Sequence, residues 1–150
     1  SFPAYNVRNN EIGGIMGISQ LKRLDDIVKR RTENLNRFIS QLDSNKYRTD
    51  FKLEGSSNYA FNLILKKPDN DFVLRLMDKM REAGIEYRRG SAGGGNQTRQ
   101  PYIKDILPNK AYLKFPETEH IHFYGFYIGN FPDLKNHEID DICSTLNSVE

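Results

Sequence analysis

Apolar positions along the chain alternate between helical and strand spacing. Leu21, Leu24, Val28, Leu35, Phe38, Ile39 and Leu42 form a stripe at helical period. Upstream, Asn9 or Asn10 can cap a helix and Glu11 suits its first turn, which predicts a helix over about residues 10–24. Gly13, Gly14 and Gly17 interrupt that helix, each at a cost of about 1 kcal/mol against alanine. Gly13 and Gly17 share a face, as expected where another backbone packs unusually close, in a further domain or a second subunit. Asp25 and Asp26 read as a restart cap with a kink, and Lys29, Arg30, Arg31, Glu33 and Arg37 as a solvated face.

Residues 47–51 read as a short strand. Residues 58–66 alternate clearly, with Tyr59, Phe61, Leu63 and Leu65 on one side and Ala60, Asn62 and Ile64 on the other. Phe72, Val73, Leu76, Met77 and Met80 give an amphipathic helix closed by Gly84. A strand follows over 85–88, then a short helix near 101–107. An aromatic-rich stretch ends in a buried strand from about Gly125, although His120 and His122 read as lying on one side of an extended segment. A last helix carries Ile139, Ile142, Cys143, Leu146 and Val149 on one face. Together these predict one α+β domain, a small and mainly antiparallel sheet with helices packed on it.

Composition narrows the function. A formal charge of +2 over 150 residues provides no basic stripe for nucleic acid. No apolar run approaches the ~18 residues of a membrane span, and one cysteine, Cys143, permits no internal disulfide and suits a reducing, cytoplasmic compartment. Its place on the apolar face of a helix predicts a buried, inert thiol. His120, His122 and Glu119 lack a third ligand at useful spacing, so no metal site is expected. The modest apolar content and the start at Ser1-Phe2-Pro3 suggest part of a longer protein.

The chemistry concentrates in residues 87–101, which hold Gly90, Gly93, Gly94 and Gly95 between Arg88, Arg89 and Arg99. Glycine runs let successive N–H groups converge on an anion, and arginine forks suit phosphate or carboxylate. A flexible polar surface loop is the plainer reading. Asn6 and Arg8 precede the N-terminus of the first helix, where an anion is also favoured, but a cap and a surface arginine fit the spacing equally well.

The stretch Tyr5-Asn6-Val7-Arg8-Asn9-Asn10-Glu11-Ile12, continuing through Gly17, Gln20-Leu21 and Leu24-Asp25, resembles a signature of the DegT/DnrJ family, fold-type I pyridoxal-phosphate enzymes acting on nucleotide-diphosphate sugars. Gly94-Gly95-Asn96 and Gln100-Pro101 resemble the sugar 3-dehydratase branch, where aminotransferases more often carry a histidine-containing pattern. Phe126 to Leu134 is similar to that branch's ending, with Asp133 where it has glycine. The resemblance covers nearly the whole chain and implies the C-terminal domain of a dimeric, pyridoxal- or pyridoxamine-phosphate-dependent 3-dehydratase, with the aminotransferase of the same family as the alternative.

It further implies that Asn6 contacts the cofactor phosphate across the dimer interface, with Arg8 as a nearby anion contact. Arg88, Gly94, Gly95, Asn96 and Arg99 become candidates for the nucleotide sugar. The larger cofactor domain, with the lysine or histidine that separates the two reactions, would lie upstream. No cofactor is expected on this chain alone, and Lys104 is the lysine nearest the loop. A non-catalytic anion-binding or assembly module is the alternative of a different class.

Overall fold

Asn10 caps the first helix as its side chain accepts the Gly13 N–H at 2.8 Å. In the computed structural model, which describes residues 10–90, 95–103 and 105–150, this helix, α1, is Glu11–Leu21. It ends at a turn through Lys22 and Arg23, and α2 (Leu24–Gln41) begins immediately. The break falls just before Asp25 and Asp26, which occupy the first turn of α2. No residue of α1 is buried, and Ile12, Ile15, Met16, Ile18 and Leu21 are 60–70% exposed.

The remaining elements are β1 (Ala60–Ile64), α3 (Asn70–Glu82), β2 (Tyr87–Arg89), α4 (Pro116–Tyr124), β3 (Gly125–Gly129) and α5 (Asn136–Asn147). Three short 3-10 turns, Gln97–Arg99, Pro101–Ile103 and Ala111–Lys114, connect β2 to α4. The expected helix after Pro101 is thus a single tight turn. The sheet is antiparallel in the order β1-β3-β2. Residues 47–51 form no strand; Tyr47 makes one isolated bridge to Leu65. Its ring is fully buried and its hydroxyl donates to the Leu146 carbonyl at 2.7 Å, so Tyr47 is a core pin.

One face of the sheet carries Phe61 and Leu63, Ile128 and Phe126, and Tyr87 in register. These pack with Leu35, Phe38, Val73, Leu76, Met80, Ile139, Cys143 and Leu146 from α2, α3 and α5. Phe38 stacks on Phe61 with centroids 4.4 Å apart and planes 7° from parallel. Strict in–out alternation in β1 does not hold, because Ala60 and Ile64 on the second face are also buried, while Tyr59 is 66% exposed. That second face carries Asn62, Tyr127 and Arg88 side by side.

The expected solvated face of α2 is in part a structural seam. Arg37 donates from Nε and a terminal nitrogen to the two carboxylate oxygens of Asp140 on α5, at 2.7 and 2.6 Å. Gln41 adds a bond to the same carboxylate at 2.6 Å. Arg30 reaches the Leu134 carbonyl at 2.7 Å. Buried Asn130 ties three segments together, donating to the carbonyls of Arg31 at 2.9 Å and Asn58 at 2.8 Å and accepting from Asn34 at 3.2 Å. These long-separation contacts, invisible to helical periodicity, hold α2 against the end of β3.

Candidate functional site

The glycine loop leaves β2 at Gly90, and the structure describes it again from Gly95. Gly95 is a contact residue by necessity. A Cβ there would lie 2.5 Å from the Gly90 carbonyl carbon and 2.6 Å from His122 Nδ1. Only a residue without a side chain lets the returning loop press against β2 and α4.

The next residue, Asn96, is 1% exposed, and its polar groups are engaged internally. Its backbone N–H donates to His122 Nδ1 at 3.1 Å, and its Nδ2 donates to Glu119 Oε2 at 3.1 Å. Its Oδ1 accepts from the Thr98 N–H at 3.0 Å and the Thr98 hydroxyl at 2.6 Å. The Asn96 side chain therefore closes an Asx turn over the Gln97–Arg99 segment.

Arg99 leaves that turn toward α4. Its Nε donates to Glu119 Oε1, and its guanidinium lies over the rings of Tyr112 at 4.0 Å and Phe123 at 5.0 Å. Glu119 thus spends one oxygen on Arg99 and the other on Asn96. Among the described residues the terminal nitrogens of Arg99 take no hydrogen bond or ion pair. Arg99 also lines a cleft of about 390 Å³ with Thr98, Gln100, Asn109, Lys110 and Tyr112. Lys110 has a left-handed backbone, φ 60°. Two cations with hydroxyl and amide groups around them make this cleft suited to an anionic, oxygen-rich ligand.

Glu119 and His122 come together because residues 116–124 form a helix. Pro116 stands in its first turn with Glu117 and Glu119, a favourable start for a helix. Glu119 and His122 then share a face at i, i+3. This corrects the reading of His120 and His122 as neighbours on one side of a strand. On a helix they diverge: His120 Nε2 donates to the Leu65 carbonyl at 2.6 Å, while His122 faces the loop. The chain passes from α4 into β3 at Gly125, where a Cβ would meet the Ile121 carbonyl oxygen at 2.5 Å. The proline and acidic first turn were the signals in the sequence, and the aromatic run after them masked the helix.

His122 is held below its ordinary pKa, first by partial burial and then by the positive charge of Arg99, with Glu119 opposing and Arg89 adding to the effect. A neutral imidazole is the form its contact requires, because Nδ1 must accept the Asn96 N–H. Arg89 is itself fixed, donating to the Phe123 carbonyl at 2.6 Å and lying over Phe126.

Arg88 lies elsewhere. It is exposed on the second sheet face and lines a cleft of about 630 Å³ with Tyr59, Tyr87, Tyr127, Phe131 and, on α5, Glu138 and Asp141. The structure therefore gathers Gly95, Asn96 and Arg99 into one site and puts Arg88 in a different cleft. Asn6, Arg8, Gly94 and Lys104 lie outside the described residues. Cys143 is buried in the core, where burial pushes its thiol up to about 12. Among the described residues no three metal-ligating side chains cluster, and no helix is long and apolar enough to cross a membrane.

Residues 1–147 match the model of the DegT/DnrJ/EryC1/StrS aminotransferase family. The chain belongs to this family. It is 34% identical over 149 residues to the GDP-4-keto-6-deoxy-D-mannose 3-dehydratase of Yersinia pseudotuberculosis, across 92% of this chain and 33% of that protein. It is 23% identical over 146 residues to the GDP-perosamine synthase of Escherichia coli O157:H7, across 95% of this chain and 37% of that protein. A crystal structure of GDP-4-keto-6-deoxymannose-3-dehydratase with a trapped PLP-glutamate geminal diamine superposes with a TM-score of 0.72 at 28% identity, across 96% of this chain and 37% of that one. The chain thus spans about a third of the length of the curated relatives it matches. The α+β fold is that of the solved fold-type I relatives, of which the 3-dehydratase structure holds a PLP-glutamate adduct and another, from Streptococcus pneumoniae, is a PMP form.

A Schiff-base lysine needs a desolvated pocket or a cationic neighbour that lowers its pKa. The clefts beside Arg88 and along β1 are lined by no lysine, and Lys110 in the third is exposed.

Proposed function

We propose that this chain is the C-terminal domain of a pyridoxal- or pyridoxamine-phosphate-dependent 3-dehydratase acting on a nucleotide-diphosphate 4-keto-6-deoxy-sugar. The observation that carries the reading is the 34% identity to a 3-dehydratase across nearly the whole chain. The fixed Gly95-Asn96-Arg99 turn supports it, since Arg99 presents its outer nitrogens at a cationic cleft.

In this reading Arg99 binds the diphosphate or sugar, with Gly94 and Gly95 letting the backbone come close. Asn96 serves that contact by shaping the turn. Arg88 meets a different part of the substrate from its own cleft. Asn6 and Arg8 supply phosphate contacts to a cofactor held by the larger domain, with Asn6 reaching across a homodimer. When bound, the cofactor supplies the electron sink for loss of the 3-hydroxyl; the residues of this chain bind and orient the sugar.

The test is to incubate the full-length protein with GDP-4-keto-6-deoxymannose, glutamate and the cofactor. The expected product is a 4-keto sugar that has lost the 3-oxygen. A 4-amino sugar that keeps its 3-hydroxyl would assign the protein to the aminotransferases, as the similarity to GDP-perosamine synthase would then imply.

A further inference from the structure

Glu119 is placed to do more than close a surface ion pair. Its side chain is 19% exposed, and its two oxygens are divided between the loop's buried amide and its arginine. An unconstrained arginine samples many rotamers, and fixing it on binding costs affinity. Here Nε is held by Glu119, and the plane is clamped over Tyr112 and Phe123. Only the terminal nitrogens remain for a ligand. One helical turn on, His122 holds the backbone at Asn96.

We propose that Glu119 and His122 are the positioning pair of the sugar-nucleotide site: α4 latches the glycine loop from beneath and presents Arg99 preorganised to an anionic ligand. This rests on the reading of Arg99 as a substrate contact. Neither residue touches the ligand. Glu119 acts through Arg99 and Asn96, and His122 acts through the Asn96 backbone.

The latch has a built-in acid limit. Protonating His122 turns its acceptor into a donor facing the Asn96 N–H. The charged groups that face His122 are Arg99 on the loop, Arg89 on β2 and Glu119 on its own helix. The two arginines oppose protonation and Glu119 favours it, so removing the carboxylate weakens the latch while lowering the pH at which it opens.

The test uses the full-length protein and titrates the nucleotide sugar into wild type, Arg99→Ala, Glu119→Gln, Glu119→Ala, the Arg99→Ala/Glu119→Ala double variant and His122→Gln. Glu119→Gln is isosteric, but it puts an amide where two donors converge. Glu119→Gln and Glu119→Ala should each weaken binding roughly tenfold, as expected for a charge-assisted contact. Cofactor absorbance should stay unchanged, and KM should rise while kcat falls less than about twofold. In the Arg99→Ala background Glu119→Ala should add nothing, because the positioned group is gone. Because His122 is held below its ordinary value, wild-type affinity should weaken only on the acid side of the ordinary histidine range, and His122→Gln should remove that dependence.

If Arg99→Ala weakens binding but both Glu119 variants bind normally, the positioning proposal is overturned and the substrate reading stands. If Arg99→Ala itself binds normally, the substrate reading fails and takes the proposal with it. Equal losses from Glu119→Ala with and without Arg99 would show direct binding by the carboxylate or a general folding defect, and would also overturn it.

Discussion

Gly95→Ala puts the packing of the loop to its severest test. The new methyl would sit 2.5 Å from the Gly90 carbonyl carbon, 2.7 Å from its oxygen and 2.6 Å from His122 Nδ1. Ordinary contact begins near 3.4 Å, so something must retreat by about 1 Å. The Gly90 atoms are backbone at the end of β2, and cannot yield as a flexible side-chain tip would. If the imidazole retreats instead, the Asn96 N–H loses its acceptor at 3.1 Å. Overpacking costs about 1–3 kcal/mol, and a lost buried hydrogen bond adds about 1 kcal/mol. Undocking of the loop sets a ceiling, so a loss of about 2–3 kcal/mol is expected. For a domain of this size that lowers the thermal midpoint by roughly 5–10 °C. Thermal unfolding followed by circular dichroism reads the shift, and hydrogen exchange at the Asn96 amide reports the loop directly. The control is Gly14→Ala, where the added Cβ meets nothing within 4 Å of the described residues. It should stabilise α1 by up to about 1 kcal/mol. A Gly95→Ala chain that melts within a degree of wild type, with its Asn96 amide equally protected, would refute the packing argument.

Asn130→Leu removes three hydrogen bonds, to the Arg31 and Asn58 carbonyls and from the Asn34 amide, and should cost roughly 3 kcal/mol in denaturant unfolding; a loss under 1 kcal/mol would mean water replaces the amide. Asp140 is held at about 2 by hydrogen bonds from Arg37 and Gln41, so its contribution is present above the ordinary carboxylate value and is lost as pH falls toward 2. Asp140→Asn should therefore flatten the acid limb of the stability profile, and an unchanged limb would show that the pair is not coupled to folding. Cys143 should resist thiol reagents at pH 8 until the chain unfolds, and rapid native labelling would place it outside the core. The exposed Ile12, Ile15, Ile18 and Leu21 should drive association of the isolated chain, so Ile15→Glu should shift it toward monomer in sedimentation; a wild-type chain that is already monomeric at high concentration would count against this.

Much of the architecture was legible because local rules are strong where side chains meet their own neighbours. The Asn10 cap, the stripe of α2, the spacing of Val73, Leu76 and Met80, and the last helix all follow from periods that the backbone imposes. The glycine loop stood out as a candidate on composition alone: so many glycines between arginines suit backbone approach to an anion.

What sequence could not decide depended on partners distant along the chain. Residues 47–51 have strand-like composition, but along the open edge of β1 they make only the bridge from Tyr47 to Leu65, and Tyr47 is used as a core pin. Arg30 and Arg37 look solvated on a helical wheel, yet groups more than a hundred residues away fix them. Residues 116–124 carry aromatic and histidine residues that suit a strand, and packing against the loop makes them a helix. That single choice separates His120 from His122 and joins Glu119 to Asn96 and Arg99. Sequence alone named the loop's candidate residues. Only the tertiary structure showed that Asn96 is buried, that Arg88 belongs to another cleft, and that α4 holds the arginine in place, because each of these depends on a contact between segments whose spacing in sequence carries no periodic signal.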